Sequence, residues 1–164
     1  MARFGVISDS HGNAPAVDAA LRILGEVDGY IHLGDLASDA ERIAEITCKP
    51  VHAVSGNCDS ITFTKGRFET ELVLEADGAK LLLVHGHKHE IDAYSTYTAR
   101  QRAIELGCSA LIYGHTHIPQ LVQRDGIIVL NPGSVSIPRA GSKPSCAVVE
   151  IESGKIRARI IPLN

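Results

Sequence analysis

Short apolar runs and helical stripes take turns along the first half of the chain. Phe4-Gly5-Val6-Ile7 reads as a strand that stops at Ser8-Asp9. A helix follows, with Asn13 as its N-cap and Pro15 in its first turn. Val17, Ala20, Leu21 and Leu24 recur at helical spacing and give it one buried face. Tyr30-Ile31-His32-Leu33 predicts a second strand that ends at Gly34-Asp35. Ser38 and Glu41 have the spacing of a capping box, and Ile43 and Ile46 continue that helix inward. A third strand, Val51 to Ser55, ends at Gly56-Asn57.

The pattern then changes. Glu71 to Glu75 and Lys80 to His85 flank Asp77-Gly78, a hairpin signal. A helix fits Ser95 to Leu106, closed by Gly107. Ala110-Leu111-Ile112-Tyr113 is a strand that stops at Gly114-His115. The remainder reads as β: a turn at Asp125-Gly126, a strand to Leu130, and a closing hairpin about Ser153-Gly154. No repeat, low-complexity tract or linker interrupts the 164 residues, so residues 1–164 are expected to form one domain. Five apolar strands each end in a short loop carrying Asp, Asn or His. In α/β sheets such strand ends form a shared ligand-binding rim, so these loops are expected to meet.

Composition narrows the function. Apolar residues make up 45%, enough for a core. A net charge of −3 excludes a strongly basic nucleic-acid binder, and no long nucleic acid is expected as a partner. The absence of Trp and the few aromatics argue against a base-stacking platform. Cys48, Cys58, Cys108 and Cys146 form no CxxC pair, which fits a reduced, cytoplasmic protein. No run approaches the roughly 20 apolar residues that span a bilayer, so no membrane partner is expected.

The candidate chemistry lies in Asp9-Ser10-His11, Gly34-Asp35, Gly56-Asn57-Cys58-Asp59, His85-Gly86-His87 and Gly114-His115-Thr116-His117. The i, i+2 pairs Asp9/His11 and His115/His117 can aim both side chains to one side of an extended segment. Mixed oxygen and imidazole donors suit manganese, iron, zinc or nickel. Two such ions about 3.5–4 Å apart can clamp both oxygens of an in-line displacement at phosphorus. They need a bridging carboxylate, for which the lone Asp35 is the natural candidate. Any one motif alone is ordinary turn chemistry. Carboxylates and imidazoles gathered at one rim are costly without a cation to balance them.

These five motifs, in this order and over nearly the whole chain, resemble the signature of the calcineurin-like metallophosphoesterase superfamily. The short length, Gly56-Asn57-Cys58-Asp59 and Asn131-Pro132-Gly133-Ser134 are similar to its small single-domain phosphodiesterase branch. The resemblance implies a four-layer α/β sandwich, with two mixed β-sheets flanked by helices. It also implies two divalent metal ions, manganese first, with iron, zinc or nickel as alternatives. One ion would take Asp9, His11 and His117 with Asp35 bridging, and the other Asp35, Asn57, His85 and His115. A bridging hydroxide would attack phosphorus in line. Asp35, Asn57, Asp59 and His87 form the expected catalytic set. His85 directly ends its apolar strand and is preferred to His87 as ligand, which leaves His87 either supporting the ligands from behind or facing substrate. Many larger relatives carry a His after the motif Asn, where this chain has Cys58, so Asp59 is the candidate proton donor to the leaving oxygen.

The residues around these motifs are expected to be plainer. His32 and His52 read as core or edge residues, His89 as solvated loop in preference to an extension of the site, and the cysteines other than Cys58 as small core residues. Ser134 and Arg139 either help hold a phosphate or belong to a structural loop. The expected partner is a small phosphoester, and a homo-oligomer stays open. The competing function is a non-catalytic interaction scaffold, like the retromer subunit of the same architecture. Such a scaffold would show eroded ligand positions, and here each is filled.

Overall fold

The computed structural model describes residues 1–59 and 68–163. The described strands form two mixed five-stranded sheets. In the first, β1 (Ala2–Ile7), β2 (Gly29–His32) and β3 (Val51–Ala53) run parallel, and the hairpin of β9 (Ser145–Glu152) and β10 (Lys155–Pro162) extends it beyond β1. The second has β5 (Ala79–Val84), β6 (Ala110–Tyr113) and β8 (Ile127–Asn131) parallel at its centre. Its antiparallel edges are β4 (Glu71–Ala76) and β7 (Gln120–Arg124).

Side-chain alternation explains why the sheets stack. Phe4, Val6, Ile31, Leu81 and Leu83 meet between the sheets. Their neighbours Ile7 and Tyr30 pack outward on Val17, Ala20 and Leu24 of α1 (Ala14–Leu24) and on Ile43 of α2 (Asp39–Thr47). Leu82 and Val84 pack on Ala99 and Ala103 of α3 (Tyr97–Glu105). Both faces of the central strands are therefore buried, and their sequences read as unbroken apolar runs. The result is the expected four-layer α/β sandwich.

Local signals were met where one residue type decides the conformation. Asn13 caps α1 through Ala16 N at 3.1 Å. The hairpin turns Asp77-Gly78, Asp125-Gly126 and Ser153-Gly154 all have positive φ at both positions, as a two-residue type I′ turn requires. Three expectations at the ends of elements fail. Ser38 already has right-handed helical φ and ψ and makes no side-chain cap bond, so no capping box forms. Ile46 is 52% exposed, because the short α2 buries only the stripe through Ala40 and Ile43. Cys48 is exposed and closes α2 in the left-handed conformation, while Cys108 and Cys146 are buried as expected. The third strand and the third helix are also shorter than expected, at Val51–Ala53 and Tyr97–Glu105.

His89 is not a solvated loop residue. Its Nε2 lies 3.1 Å from Glu71 Oε2, and Arg102 Nη2 donates to Glu71 Oε1 at 2.8 Å. Together they tie the loop after β5 and the helix α3 to the edge strand β4. The Arg102 guanidinium holds the Glu71 carboxyl below its usual value of 4.5; burial opposes this and His89 assists it. Glu71 therefore adds stability above about pH 4.5, and that contribution fades as the pH falls through its lowered value. Glu71→Gln should cost about 0.5–1 kcal/mol at pH 7 in urea denaturation, with the difference shrinking as the pH falls below 4.5.

Candidate metal centre

The parallel strands of both sheets deliver their C-terminal ends to one rim, and the five motifs converge there. The backbone at this rim is strained. Asp9, His11, Asp35, Leu36, His115 and His117 all have φ between 48° and 77°, a region L-residues with a Cβ seldom occupy. Such strain persists only where the surroundings over-determine it. Asp9 N donates to Gly34 O and His11 N to Asp35 O, both at 3.1 Å, which joins the first two motifs. Ser134 and Ser136 each donate a hydroxyl to Asp9 O at 2.8 Å. Asn131 donates to Gly114 O at 2.8 Å and to Thr116 Oγ1 at 3.0 Å, which braces the turn before His117.

Close approach of the loops requires two of the glycines. A Cβ on Gly56 would overlap Asp35 Oδ1 and the Asp35 backbone N, and a Cβ on Gly114 would overlap the Ser8 hydroxyl.

Asp9, His11, Asp35 and His117 each offer a donor atom, all within 4.8 Å of one another. His117 Nε2 lies 3.1 Å from Asp9 Oδ1, and His11 Nε2 lies 3.7 Å from Asp35 Oδ2. His117 Nδ1–H donates to Ile137 O at 2.6 Å, which turns the Nε2 lone pair towards Asp9. Among the described residues, Asp9 Oδ1 and His11 Nε2 are buried without a hydrogen-bond partner. Burial opposes charge on Asp9, yet His117 and His85 hold its carboxyl below the usual range. Burial likewise opposes charge on His117, and Asp9 outweighs it, raising that imidazole. Lone pairs aimed at one buried point need a positive charge between them, so this donor set fits a divalent cation.

A second group adjoins the first. His85 Nε2 lies 3.4 Å from Asp35 Oδ1 and 3.1 Å from Asn57 Oδ1, which is also 3.1 Å from His115 Nδ1. His85 Nδ1–H donates to Leu33 O at 2.6 Å and so presents Nε2 to the group. His85 is fully buried. His87 is half-buried, its ring edge-on to His85 at 5.5 Å and 6.4 Å from His115. Burial and then these two imidazoles push His87 down to about 4, so it stands neutral at physiological pH.

Asp59, expected as the proton donor, braces the Asp35 turn. It is 1% exposed and accepts four backbone N–H groups, from Asp35, Leu36, Ala37 and Gly56, at 2.6–3.1 Å. Both oxygens are engaged in holding the Asp35 turn. Cys58 donates its N–H to Asp35 Oδ1 at 3.0 Å. Burial, and then Asp35, push its thiol up to about 11, which keeps it protonated.

Several neighbours had no distinct signal in the sequence. His32 is fully buried, as expected. It accepts from Gly34 N at 3.3 Å and lies 2.8 Å from Ser10 Oγ, so it also shapes the Asp35 turn. Ser8 Oγ donates to Asp9 Oδ2 at 2.6 Å. Asn131 and Ser134 belong to a run that resembled the family, but only the folded loop shows that Ser134 braces Asp9. Arg139 is exposed, and its backbone N donates to His117 O at 3.2 Å.

The sequence model of the calcineurin-like phosphoesterase superfamily domain matches residues 2–154. "Probable metallophosphoesterase YsnB" of Bacillus subtilis (strain 168) is 36% identical over 155 residues, covering 94% of this chain and 87% of that protein. "Phosphodiesterase YfcE" of Escherichia coli (strain K12) is 31% identical over 166 residues, covering 87% of this chain and 84% of that protein. A Streptococcus pneumoniae TIGR4 crystal structure described as a predicted phosphoesterase superposes with a TM-score of 0.80 at 31% identity, over 98% of this chain and 89% of that one. Zinc-complexed Vps29 of Entamoeba histolytica has a TM-score of 0.74 at 22% identity, over 99% of both chains, a likeness of fold alone.

Proposed function

The chain belongs to the calcineurin-like phosphoesterase superfamily, and from that premise we propose that it is a phosphodiesterase working through two divalent cations that share Asp35. The family and its phosphodiesterase-named relative support a metal-dependent hydrolase. The observation that carries the finer reading is Asp35 itself. Its Oδ2 faces His11 at 3.7 Å, in the first donor group, and its Oδ1 faces His85 at 3.4 Å, in the second. Asp9, His11 and His117 would hold one ion, and Asn57, His85 and His115 the other. Manganese is the first choice, with iron, zinc or nickel as alternatives.

Such cations, when bound, supply Lewis-acid activation of water and neutralise charge developing on the phosphoryl oxygens. The protein's own part is positional. Backbone carbonyls fix the tautomers of His85 and His117, and Asp59 holds the strained turn that aims Asp35 at both groups. Neutral His87 stands beside His85 and His115, where a substrate oxygen would approach. Between Asn57 and Asp59 no side chain offers a strong acid for the leaving group, because the Cys58 thiol, raised to about 11, is a weak acid and both Asp59 oxygens accept backbone N–H groups. Phosphodiesters with good leaving groups are therefore favoured.

This reading treats residues 1–164 as one catalytic domain of a cytoplasmic protein, where its four free cysteines stay reduced. No helix among the described residues is long and apolar enough to cross a membrane. The Vps29 likeness keeps a scaffold function as the competing reading, against which stands a full set of competent donors. The metal-stripped protein should be inactive on an aryl phosphodiester, regain activity with Mn²⁺ or Ni²⁺, and lose it again to a chelator. A metal-loaded protein that stays inactive across a phosphodiester and phosphomonoester panel would favour the scaffold.

A further inference from the structure

We propose that a trough leading away from the metal-ligating rim is a subsite for one ester arm of the substrate. That arm would carry a second anionic group. The proposal rests on the phosphodiesterase reading and specifies its substrate class.

The trough consists of two cavities that share Asp92, Ala93, Thr116 and Ile118 in their walls, and so run into each other. The nearer, of about 250 Å³, is lined by His115 of the rim and by Ile91 and Arg139. The farther, of about 320 Å³, continues past Tyr113 to Gln120 and Arg124. The apolar side chains are Ile91 in the nearer cavity and Ala93 and Ile118 in the shared wall, while Tyr94, Ser95, Thr96, Thr116 and Gln120 make the farther cavity largely polar.

The charges sit at the two ends. Arg139 is held beside the rim by its backbone bond to His117 O at 3.2 Å. Arg124 stands at the far end on the edge strand β7, beside the Tyr113 hydroxyl that donates to Gln120 Oε1 at 2.8 Å. Among the described residues neither guanidinium makes a side-chain hydrogen bond or ion pair, unlike Arg100 and Arg102, which are paired with Asp125 and Glu71. One carboxylate, Asp92, lies in the wall against the two guanidinium groups. Its Oδ1 accepts the N–H groups of Tyr94 and Ser95, both at 2.7 Å, which fixes it on its own loop. A trough with a guanidinium at each end complements an arm whose second anion reaches Arg124 while the scissile phosphate lies at the rim.

The test uses two p-nitrophenyl phosphodiesters that differ only in the second ester, phenyl in one and 4-(phosphonomethyl)phenyl in the other. The Mn²⁺-loaded protein should favour the phosphonate diester by about tenfold in kcat/KM, a size typical of one charge-assisted hydrogen bond. In Arg124→Gln that ratio should collapse to near one, and in Arg124→Lys fall between, with melting temperatures unchanged. A parent ratio near one, or the same ratio in Arg124→Gln, overturns the proposal. If the loaded protein hydrolyses neither diester, the phosphodiesterase reading fails, and calorimetry with the free 4-(phosphonomethyl)phenol decides the trough separately. Binding weakened about tenfold by Arg124→Gln upholds it, and equal or absent binding overturns it.

Discussion

Replacing Asp35 by Asn should lower kcat on an aryl phosphodiester by about a thousandfold while leaving the fold intact. The substitution keeps the shape and one oxygen but removes the negative charge that both donor groups share. At an effective dielectric near 20, a unit charge about 4 Å from another is worth on the order of 4 kcal/mol. If that stabilisation is lost from the loaded site, the rate falls by about three powers of ten. Asp35 is only 3% exposed, yet its Oδ1 accepts from Cys58 N, a bond the Asn oxygen can keep. The metal-free variant should therefore melt at or above the parent's temperature, since a buried carboxylate beside Asp9 has gone. Mn²⁺ should raise its melting point far less than it raises the parent's. Retained turnover would refute the shared role of Asp35.

Asp59→Asn should be the most destabilising conservative change at this rim. One of the two Asp59 oxygens becomes an NH₂ group aimed at two backbone N–H donors, either those of Asp35 and Gly56 or those of Leu36 and Ala37. Each buried N–H left without an acceptor costs about 1–3 kcal/mol. A loss of about 3 kcal/mol would lower the melting temperature by roughly 10 °C in a protein of this size. The released turn carries Asp35, so Mn²⁺ affinity should fall about 10–100-fold as well. A variant that melts and binds Mn²⁺ like the parent would show that the turn holds itself.

The sequence was most legible where one residue type has one physical use. Asp77-Gly78 and Asp125-Gly126 announce their hairpins because few residue pairs tolerate two positive φ angles. The unbroken runs at residues 81–84 and 110–113 announce strands buried on both faces. The motifs announce a metal rim because Asp, Asn and His at successive strand ends have little other reason to gather. What stayed hidden depends on contacts distant in sequence. Asp59 looked like an acid because only the fold brings the Asp35 turn, 24 residues earlier, onto its carboxylate. His89 looked solvated until β4 brought Glu71 to it. The left-handed backbone of Asp9, His11, His115 and His117 has only a weak local signal, since Asp and His adopt it more often than most residues but still in a small minority of positions. Tertiary hydrogen bonds impose it. Ser38 and Glu41 show the reverse failure, a local pattern that the preceding turn overrides.

The pairing of two ions across Asp35 is tested most directly by electron paramagnetic resonance of the metal-stripped protein titrated with Mn²⁺. Two ions per chain should bind and give an exchange-coupled multiline spectrum, as expected for manganese ions about 3.5–4 Å apart. Saturation at one ion per chain, with only the six-line signal of an isolated Mn²⁺, would contradict it.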